Sequence, residues 1–132
     1  GDVRAHGKRD GRPWRVGVAH PRRRAALLGT VGLSDGAVVT SGDYERFFEE
    51  DGVRYHHIID PETGRPARNS VATTVIADNA TVADGLSTGL FVMGPKEGLA
   101  LARQMQGVEA LIIGPDMTFH ATDGFREKFS EQ

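Results

Sequence analysis

Histidine, aspartate and hydroxyl side chains occur together in three short segments of this chain, and each segment could carry chemistry. The first is residues 55–66, where two histidines stand between an apolar stretch and a turn built from Asp-Pro and Thr-Gly. Histidine is the side chain best suited to move a proton near neutral pH. Because scaffolds present reactive groups where strands open into loops, this segment predicts a proton-transfer site.

The two histidines of that segment, His56 and His57, cannot both enter one site. The residues before them favour a strand, and neighbouring side chains of a strand point to opposite faces. One of the two should therefore face solvent or a second layer. Both could also be ordinary polar residues of a hairpin. Asp60, which follows them, could orient the loop around His57 or simply form an Asp-Pro turn.

The second segment, residues 83–88, places Asp84 and Thr88 four residues apart on an expected helix. Residues at that spacing lie on the same helical face. A carboxylate with a hydroxyl group suits a hard cation such as Mg²⁺, which often completes its shell with water and substrate phosphate oxygens. The alternative is that Asp84 is a first-turn carboxylate that the helix dipole favours.

The third segment is the run Thr40, Ser41, Gly42 and Asp43. Glycine allows a backbone to approach a ligand closely, and Ser41 adds a hydroxyl group beside it. This composition fits a cofactor-binding turn, but an ordinary turn has the same composition. The residues alone leave both interpretations open.

The elements that would position these segments follow from hydrophobic periodicity and turn residues. Strands are predicted at residues 14–18, 25–31, 37–40, 44–49, 53–58, 70–77, 108–113 and 117–120, and helices at residues 80–93 and 95–106. Ser34-Asp35-Gly36 and Asp51-Gly52 have the composition of hairpin turns. The predicted fold class is α+β, with a mixed, mainly antiparallel sheet and two packed helices.

The first of these helices carries the second segment, so the direction in which it faces matters. Asn79 is a suitable N-cap for it. The predicted buried face consists of the apolar residues Val82, Leu86, Leu90 and Met93. That assignment leaves the face of Asp84 free for a site.

Composition narrows the classes of protein further. The chain has 132 residues and no cysteine, which excludes disulfides and thiolate metal sites within it. No run of 18 apolar residues is present, so no membrane-spanning helix is predicted.

Residues 1–24 carry eight Lys/Arg and two Asp/Glu, a net charge of +6. The run Arg22–Arg24, with Arg12 and Arg15, could attract phosphate or form a solvated basic loop. No aromatic residues alternate with these arginines, so a nucleic-acid partner is not expected.

Taken in their order along the chain, the three segments resemble the C-terminal half of ApbE-type FAD:protein FMN transferases. The matching stretches read TSGDYERFF, HHIIDPETGRPA and ATVADGLSTGLFVMGPKEGLALA, with weaker support from GDVRAHG and PWRVGVAHPRR. The resemblance runs from residue 1 to about residue 125. It implies that residues 1–132 are the C-terminal part of a single flavin transferase domain whose N-terminal half lies outside this chain.

The resemblance also implies an activity and a set of roles. FMN would pass from FAD to a threonine hydroxyl of an acceptor protein with release of AMP, in a Mg²⁺-dependent reaction. His57 would accept the threonine proton, Asp84 and Thr88 would bind the metal, and a further ligand would come from the missing half. The run from Thr40 to Asp43, together with Asp60, would lie near the flavin cofactor. The alternative is a relative that binds or hydrolyses FAD and modifies no protein.

The resemblance finally implies a setting for the protein. The acceptor would belong to a flavin-dependent redox system, with a membrane-associated acceptor as one option. A bacterial protein of the cell envelope or periplasm is expected, and a cytoplasmic location is the alternative. On this interpretation the chain alone would not be a complete enzyme.

Overall fold

The structure is a computed structural model that describes residues 1–132. Its strands are β1 (Asp2–Ala5), β2 (Trp14–Ala19), β3 (Leu27–Leu33), β4 (Gly36–Gly42), β5 (Phe47–Glu50), β6 (Val53–His56), β7 (Ile59–Asp60), β8 (Arg65–Pro66), β9 (Ala72–Ala77), β10 (Glu109–Ile113), β11 (Phe119–Ala121) and β12 (Phe129–Glu131). Its helices are α1 (Ala80–Met93), α2 (Pro95–Gln104) and α3 (Asp123–Lys128). None of the three helices has the length and apolar character needed to cross a membrane.

A five-stranded antiparallel sheet in the order β1-β4-β9-β10-β11 forms the middle layer. Helices α1 and α2 cover one face of it, where Val75 and Ile112 pack with helical residues such as Leu90. A three-stranded sheet, β12-β3-β2, covers the other face, where Ile76 and Val31 share a second apolar cluster. Strand β9 is buried along its whole length because it has a layer on each side. The predicted α+β class is therefore confirmed.

The turn at Ser34-Asp35-Gly36 does not close the hairpin that its composition predicts. Strand β3 pairs with β2 and β12, whereas β4 pairs with β1 and β9, so the chain passes from one sheet to the other at this point. Gly36 has a φ of 126°, and a Cβ there would lie 3.0 Å from the carbonyl oxygen of Ala77. The glycine therefore permits a close crossing between layers, which turn composition alone cannot distinguish from a hairpin.

The second predicted hairpin is present. Asp51 and Gly52 connect β5 to β6 with positive φ values of 50° and 75°, the conformation that a two-residue hairpin turn requires. A second, shorter hairpin follows directly, formed by β7 and β8. Both hairpins lie outside the two larger sheets. The sequence analysis did not predict β1, the β7–β8 pair, α3 or β12.

Helix α1 begins and ends where predicted, but its buried face was predicted only in part, since Leu90 is buried and Leu86 and Met93 pack against the core. The side chain of Asn79 accepts hydrogen bonds from the Thr81 and Val82 amides, as an N-cap should. However, Val82 is 43% exposed. The residues that α1 buries are Ala83, Ser87, Leu90 and Phe91. Small residues at two of these positions let the helix lie close to β4 and β9, a requirement that hydrophobicity alone does not reveal.

Candidate functional site

Three hydroxyl groups connect strand β4 to helix α1. Alternation along β4 directs Ser41 to the helical side of the sheet, together with Ala37 and Val39. The Ser41 Oγ lies 2.8 Å from the Ser87 Oγ and 3.2 Å from the Thr88 Oγ1. The sequence analysis missed Ser87, whose small polar side chain on an otherwise apolar face was the available signal.

The directions of these hydrogen bonds can be assigned one after another. The Ser87 hydroxyl donates to the backbone carbonyl of Asp84 at 2.9 Å, so towards Ser41 it can only accept. The Ser41 hydroxyl therefore donates to Ser87, and it accepts from the Thr88 hydroxyl. This arrangement orients the Thr88 side chain and leaves the lone pairs of its Oγ1 available.

Asp84 and Thr88 lie on the same exposed side of α1, one helical turn apart. The Asp84 carboxylate makes no ion pair and no side-chain hydrogen bond. Asp84 also lies beyond the first helical turn, which contains no acidic residue, so the helix-dipole interpretation loses its basis. An unpaired carboxylate beside an oriented hydroxyl fits a hard divalent cation such as Mg²⁺.

These two donors do not form a closed metal cage. No group of three or more His, Cys, Asp or Glu side chains lies together in the chain. Mg²⁺ is commonly held by one or two carboxylates, with water and substrate phosphate oxygens as the other ligands. Asp84 and Thr88 would be the residues of this chain that hold such an ion.

The other members of the β4 segment have structural partners. Thr40 faces the opposite side of the sheet, where its Oγ1 lies 2.9 Å from the Oγ1 of Thr74. Gly42 is buried, and a Cβ there would lie 2.3 Å from the ring of Tyr44. Burial is the main reason that the pKa of Tyr44 is raised to about 12. The absence of a side chain at Gly42 is thus explained by the packing of Tyr44.

Asp43 is buried and its carboxylate is already engaged. Arg22 donates to both carboxylate oxygens, at 2.6 Å and 2.7 Å, and Arg54 lies 3.4 Å from one of them. Asp43 therefore connects the β2–β3 loop and strand β6 to the end of β4. Its backbone amide is engaged as well, since it donates to the Val71 carbonyl oxygen at 3.0 Å. Of the basic residues 22–24, Arg22 serves in this ion pair, while Arg23 and Arg24 have no carboxylate partner.

His57 is exposed, directly after strand β6. Its backbone amide donates to the Arg46 carbonyl oxygen at 3.1 Å, and its Nδ1 lies 3.2 Å from the same oxygen. Because a carbonyl oxygen can only accept, Nδ1 carries the ring hydrogen, and in the neutral ring Nε2 then keeps its lone pair. A histidine in this tautomer has a free nitrogen with which to accept a proton.

His56 points the other way, as strand alternation predicts, and is buried. Its Nε2 donates to the Ala67 carbonyl oxygen at 2.8 Å, and its Nδ1 accepts from the Ile58 amide at 3.2 Å. The ring also meets Phe91 of α1 edge-on, with centroids 5.5 Å apart. Burial is the main cause that lowers the pKa of His56 from its ordinary value.

Asp60 forms the turn of the second hairpin. Its Oδ1 accepts from the Glu62 amide at 2.9 Å, and its carbonyl oxygen accepts from the Gly64 amide at 2.8 Å. The turn interpretation therefore accounts for the observed bonds. Asp60 also lines a groove of about 820 Å³ beside the two hairpins, together with Val53, Tyr55, Thr63, Gly64, Arg65, Pro66, Arg68 and Asn69.

The structure thus brings some of the predicted residues together and keeps others apart. Ser41 and Thr88 are hydrogen-bonded on the helical side of the sheet, and Asp84 is linked to them through its backbone carbonyl, which accepts from Ser87. His57 belongs to the hairpin region, and no hydrogen bond joins it to that group. Thr40 and Asp43 are occupied by structural contacts.

Comparisons with known proteins show the family to which the chain is similar. The sequence profile of the ApbE family matches residues 1–112. The chain is 47% identical over 119 residues to the FAD:protein FMN transferase of Treponema pallidum (strain Nichols), covering 87% of this chain and 32% of the relative. It is 43% identical over 130 residues to the FAD:protein FMN transferase of Vibrio cholerae (strain O395), covering 96% of this chain and 37% of the relative.

Solved structures give the same result. The crystal structure of the ApbE protein of Thermotoga maritima superposes with a TM-score of 0.88 at 43% identity, over 99% of this chain and 43% of that one. The flavin transferase ApbE of Vibrio cholerae superposes with a TM-score of 0.77 at 39% identity, over 97% of this chain and 42% of that one. The chain spans about a third of the length of the curated relatives it matches. Since the family profile covers most of its residues, the chain belongs to the ApbE family.

Proposed function

We propose that this chain takes part in FAD:protein FMN transfer, with a threonine hydroxyl of an acceptor protein as the target. The observation that supports this proposal best is that a chain so similar to FAD:protein FMN transferases exposes the two groups such a transfer needs. One is a histidine with a free Nε2, at His57. The other is a pair of oxygen donors for a cation, at Asp84 and Thr88.

The proposed reaction moves one proton, forms one phosphorus–oxygen bond and breaks another. The threonine O–H gives its proton to the Nε2 of His57, and the oxygen forms a bond to the phosphorus on the FMN side of the FAD pyrophosphate. The bond from that phosphorus to the bridging oxygen breaks, and AMP leaves with the electron pair. The products are FMN joined to threonine by a phosphoester bond, and AMP.

The residues of this chain would contribute positioning and proton transfer. General-base catalysis by a positioned histidine typically contributes about 100- to 10,000-fold in rate. When bound, Mg²⁺ would offset negative charge on the pyrophosphate. An acidic residue near a pyrophosphate is electrostatically unfavourable on its own, so the unpaired Asp84 carboxylate is best explained by a cation between the two.

We further propose that the complete site requires groups from a segment outside residues 1–132. Asp84 and Thr88 are only two donors, and no third acidic or histidine ligand lies beside them. The acceptor would be a protein of a flavin-dependent redox system, in the cell envelope or periplasm. Residues 1–132 expressed alone should release no AMP from FAD at enzymatic rates, which are typically about 1 to 1,000 per second.

The direct test uses the full-length protein with FAD, Mg²⁺ and a peptide that contains a single threonine. The expected result is equal amounts of AMP and of peptide that carries covalent flavin fluorescence. A matched peptide with valine in place of threonine should remain unlabelled. Release of AMP without labelling of any acceptor protein would instead support FAD hydrolysis, and the absence of both products would contradict the proposal.

A further inference from the structure

His56 has no part in the proposed proton transfer, yet its ring holds the backbone directly beside the residue that does. The Nδ1 of His56 accepts the Ile58 amide hydrogen at 3.2 Å, so this bond spans His57. The His56 side chain therefore links the two residues on either side of His57. His56 and Ile58 are 5% and 4% exposed, which leaves this bond little competition from water.

The same ring connects three elements of the fold. Its Nε2 donates to the Ala67 carbonyl oxygen at 2.8 Å, and the Ala67 amide donates to the Ile58 carbonyl oxygen at 2.9 Å. The ring edge also packs on Phe91 of helix α1, which forms a small core with Ile58 and Ala67. Strand β6, the β7–β8 hairpin and α1 thus meet at the His56 ring.

We propose that His56 is a positioning residue for the flavin transfer proposed above, because its neutral Nε2–H ring fixes the backbone on both sides of His57 and so orients the proton acceptor. This inference rests on the proposed function. Only that tautomer can donate to Ala67 and accept from Ile58 at the same time. A proton on Nδ1 would place two N–H groups against each other and break the bond that spans His57.

The surroundings of the ring favour the neutral form. Burial disfavours the charge and is the largest influence. Arg68 and His57 oppose protonation as well, whereas the Asp43 carboxylate and the hydrogen bond to Ala67 favour it. The net effect lowers the pKa of His56, so the neutral ring persists at pH values where an exposed histidine is already charged.

The first experiment compares two substitutions in the full-length protein. His56→Phe keeps an aromatic ring against Phe91 but removes both hydrogen bonds, whereas His56→Asn keeps an acceptor near the position of Nδ1. Misplacement of a catalytic group by about 1 Å can lower a rate by about 100-fold. We therefore expect His56→Phe to lower kcat by about that factor with an unchanged KM for FAD, and His56→Asn to recover part of the loss.

The outcomes of this experiment separate positioning from core packing. His120→Asn, at a histidine outside these contacts, serves as the control and should keep the parent kcat. A folded His56→Phe protein with the parent kcat would overturn the proposal. Equal losses in both His56 variants that follow their melting temperatures would also overturn it, since they would reflect stability alone.

The second experiment needs no variant and no activity. Nitrogen-15 NMR of the parent should show His56 as the Nε2–H tautomer and His57 as the Nδ1–H tautomer. The Ile58 amide should exchange slowly with solvent and should lose protection as His56 becomes protonated. An Nδ1–H tautomer at His56 would overturn the inference. An Ile58 amide whose protection does not change as His56 becomes protonated would overturn it as well. A parent enzyme that labels no acceptor would contradict the proposed function and leave this NMR result valid on its own.

Discussion

The two regions that carry the candidate site are held in very different ways. The group of Ser41, Ser87 and Thr88 lies between α1 and β4, where hydrogen bonds join the three side chains and β4 pairs with the fully buried strand β9. His57 lies between two hairpins outside the large sheets. These hairpins expose apolar residues such as Phe48. The proposed cation-binding side is thus built on a packed layer, whereas the proposed proton-accepting side depends on a few polar contacts.

This difference indicates which substitutions should alter chemistry and which should alter structure. On α1, exposed site residues can be changed without loss of packing. In the hairpins, buried polar residues hold the reactive group in place, so their loss should act on both stability and rate. Substitutions on α1 and in the hairpins therefore test this division.

The largest effect is expected for His57→Ala. Loss of the proton acceptor should lower flavin transfer by about 100- to 10,000-fold and leave FAD affinity nearly unchanged. Stability should change by no more than about 0.5 kcal/mol, because the side chain is exposed. Single-turnover labelling of a threonine peptide and FAD titration measure the two effects. Full activity in this variant would contradict a catalytic role for His57 and the hairpin region.

Asp84→Asn should give the next largest effect, on Mg²⁺ affinity. Two unit charges about 4 Å apart interact by on the order of 1 to 4 kcal/mol, so loss of the Asp84 charge should weaken Mg²⁺ binding by about 5- to 1,000-fold. FAD affinity without metal should stay the same or increase. The measurement is a Mg²⁺ titration of AMP release, with Glu97→Gln on the neighbouring helix as the control. An unchanged Mg²⁺ dependence with a lower melting temperature would identify Asp84 as a structural residue.

Asp43→Asn should loosen the hairpins selectively. It removes the charge that pairs with Arg22 and Arg54, and hydrogen bonds to charged groups typically contribute about 2 kcal/mol. Hydrogen exchange should quicken in β5 and β6 while α1 and β9 stay protected. The control is Glu49→Gln, which removes an exposed partner of Arg54 and should cost less than about 1 kcal/mol. Equal loss of protection in α1 would show that the two regions are not independent.

Thr88→Val should act in the same direction as Asp84→Asn but more weakly. A neutral hydroxyl contributes less to a hard cation than a carboxylate does, and the variant also loses the bond to Ser41. We expect a loss of about 1 kcal/mol in stability and a small rise in the Mg²⁺ concentration needed for half-maximal rate. If Thr88→Val raised that Mg²⁺ concentration more than Asp84→Asn does, Thr88 and not Asp84 would be the main ligand.

The smallest effect is expected in the dependence of stability on pH. The pKa of His56 is lowered in the folded protein, so its contribution is fully present above about pH 6.5 and is lost as the pH falls through the folded-state pKa. The pKa of His20 is also lowered, again mainly by burial, so His20 changes the pH dependence of stability in the same direction. Denaturant unfolding of the parent and of His56→Phe between pH 7 and pH 5 should therefore show a shallower decline for the variant. Identical slopes would mean that His56 does not titrate differently on folding.

Local signals were sufficient where a feature depends on nearby residues. The bounds of α1 follow from the Asn79 cap and from Gly94, whose φ is 84°, because capping involves only the adjoining turn. The β5–β6 hairpin follows from Asp51-Gly52 for the same reason. Alternation alone also separated His56 from His57, since it needs only the period of a strand.

Other features depend on residues far apart in the chain, and they could not be predicted from the sequence. Asp43 is paired with Arg22, 21 positions away, so the composition of its own segment gave no sign of the partner. The buried face of α1 is set by how closely the helix approaches the sheet, and this places Ser87 inside and Val82 outside.

Most element types, the local turns and the residues with suitable chemistry could be predicted from the amino-acid sequence, because propensity, periodicity and capping act over a few residues. Folding set the sheet to which each strand belongs, the tautomers of His56 and His57, and the engagement of Asp43. Each of these depends on a hydrogen-bond partner or a packed layer that folding brings together from distant positions, and no local pattern encodes that partner.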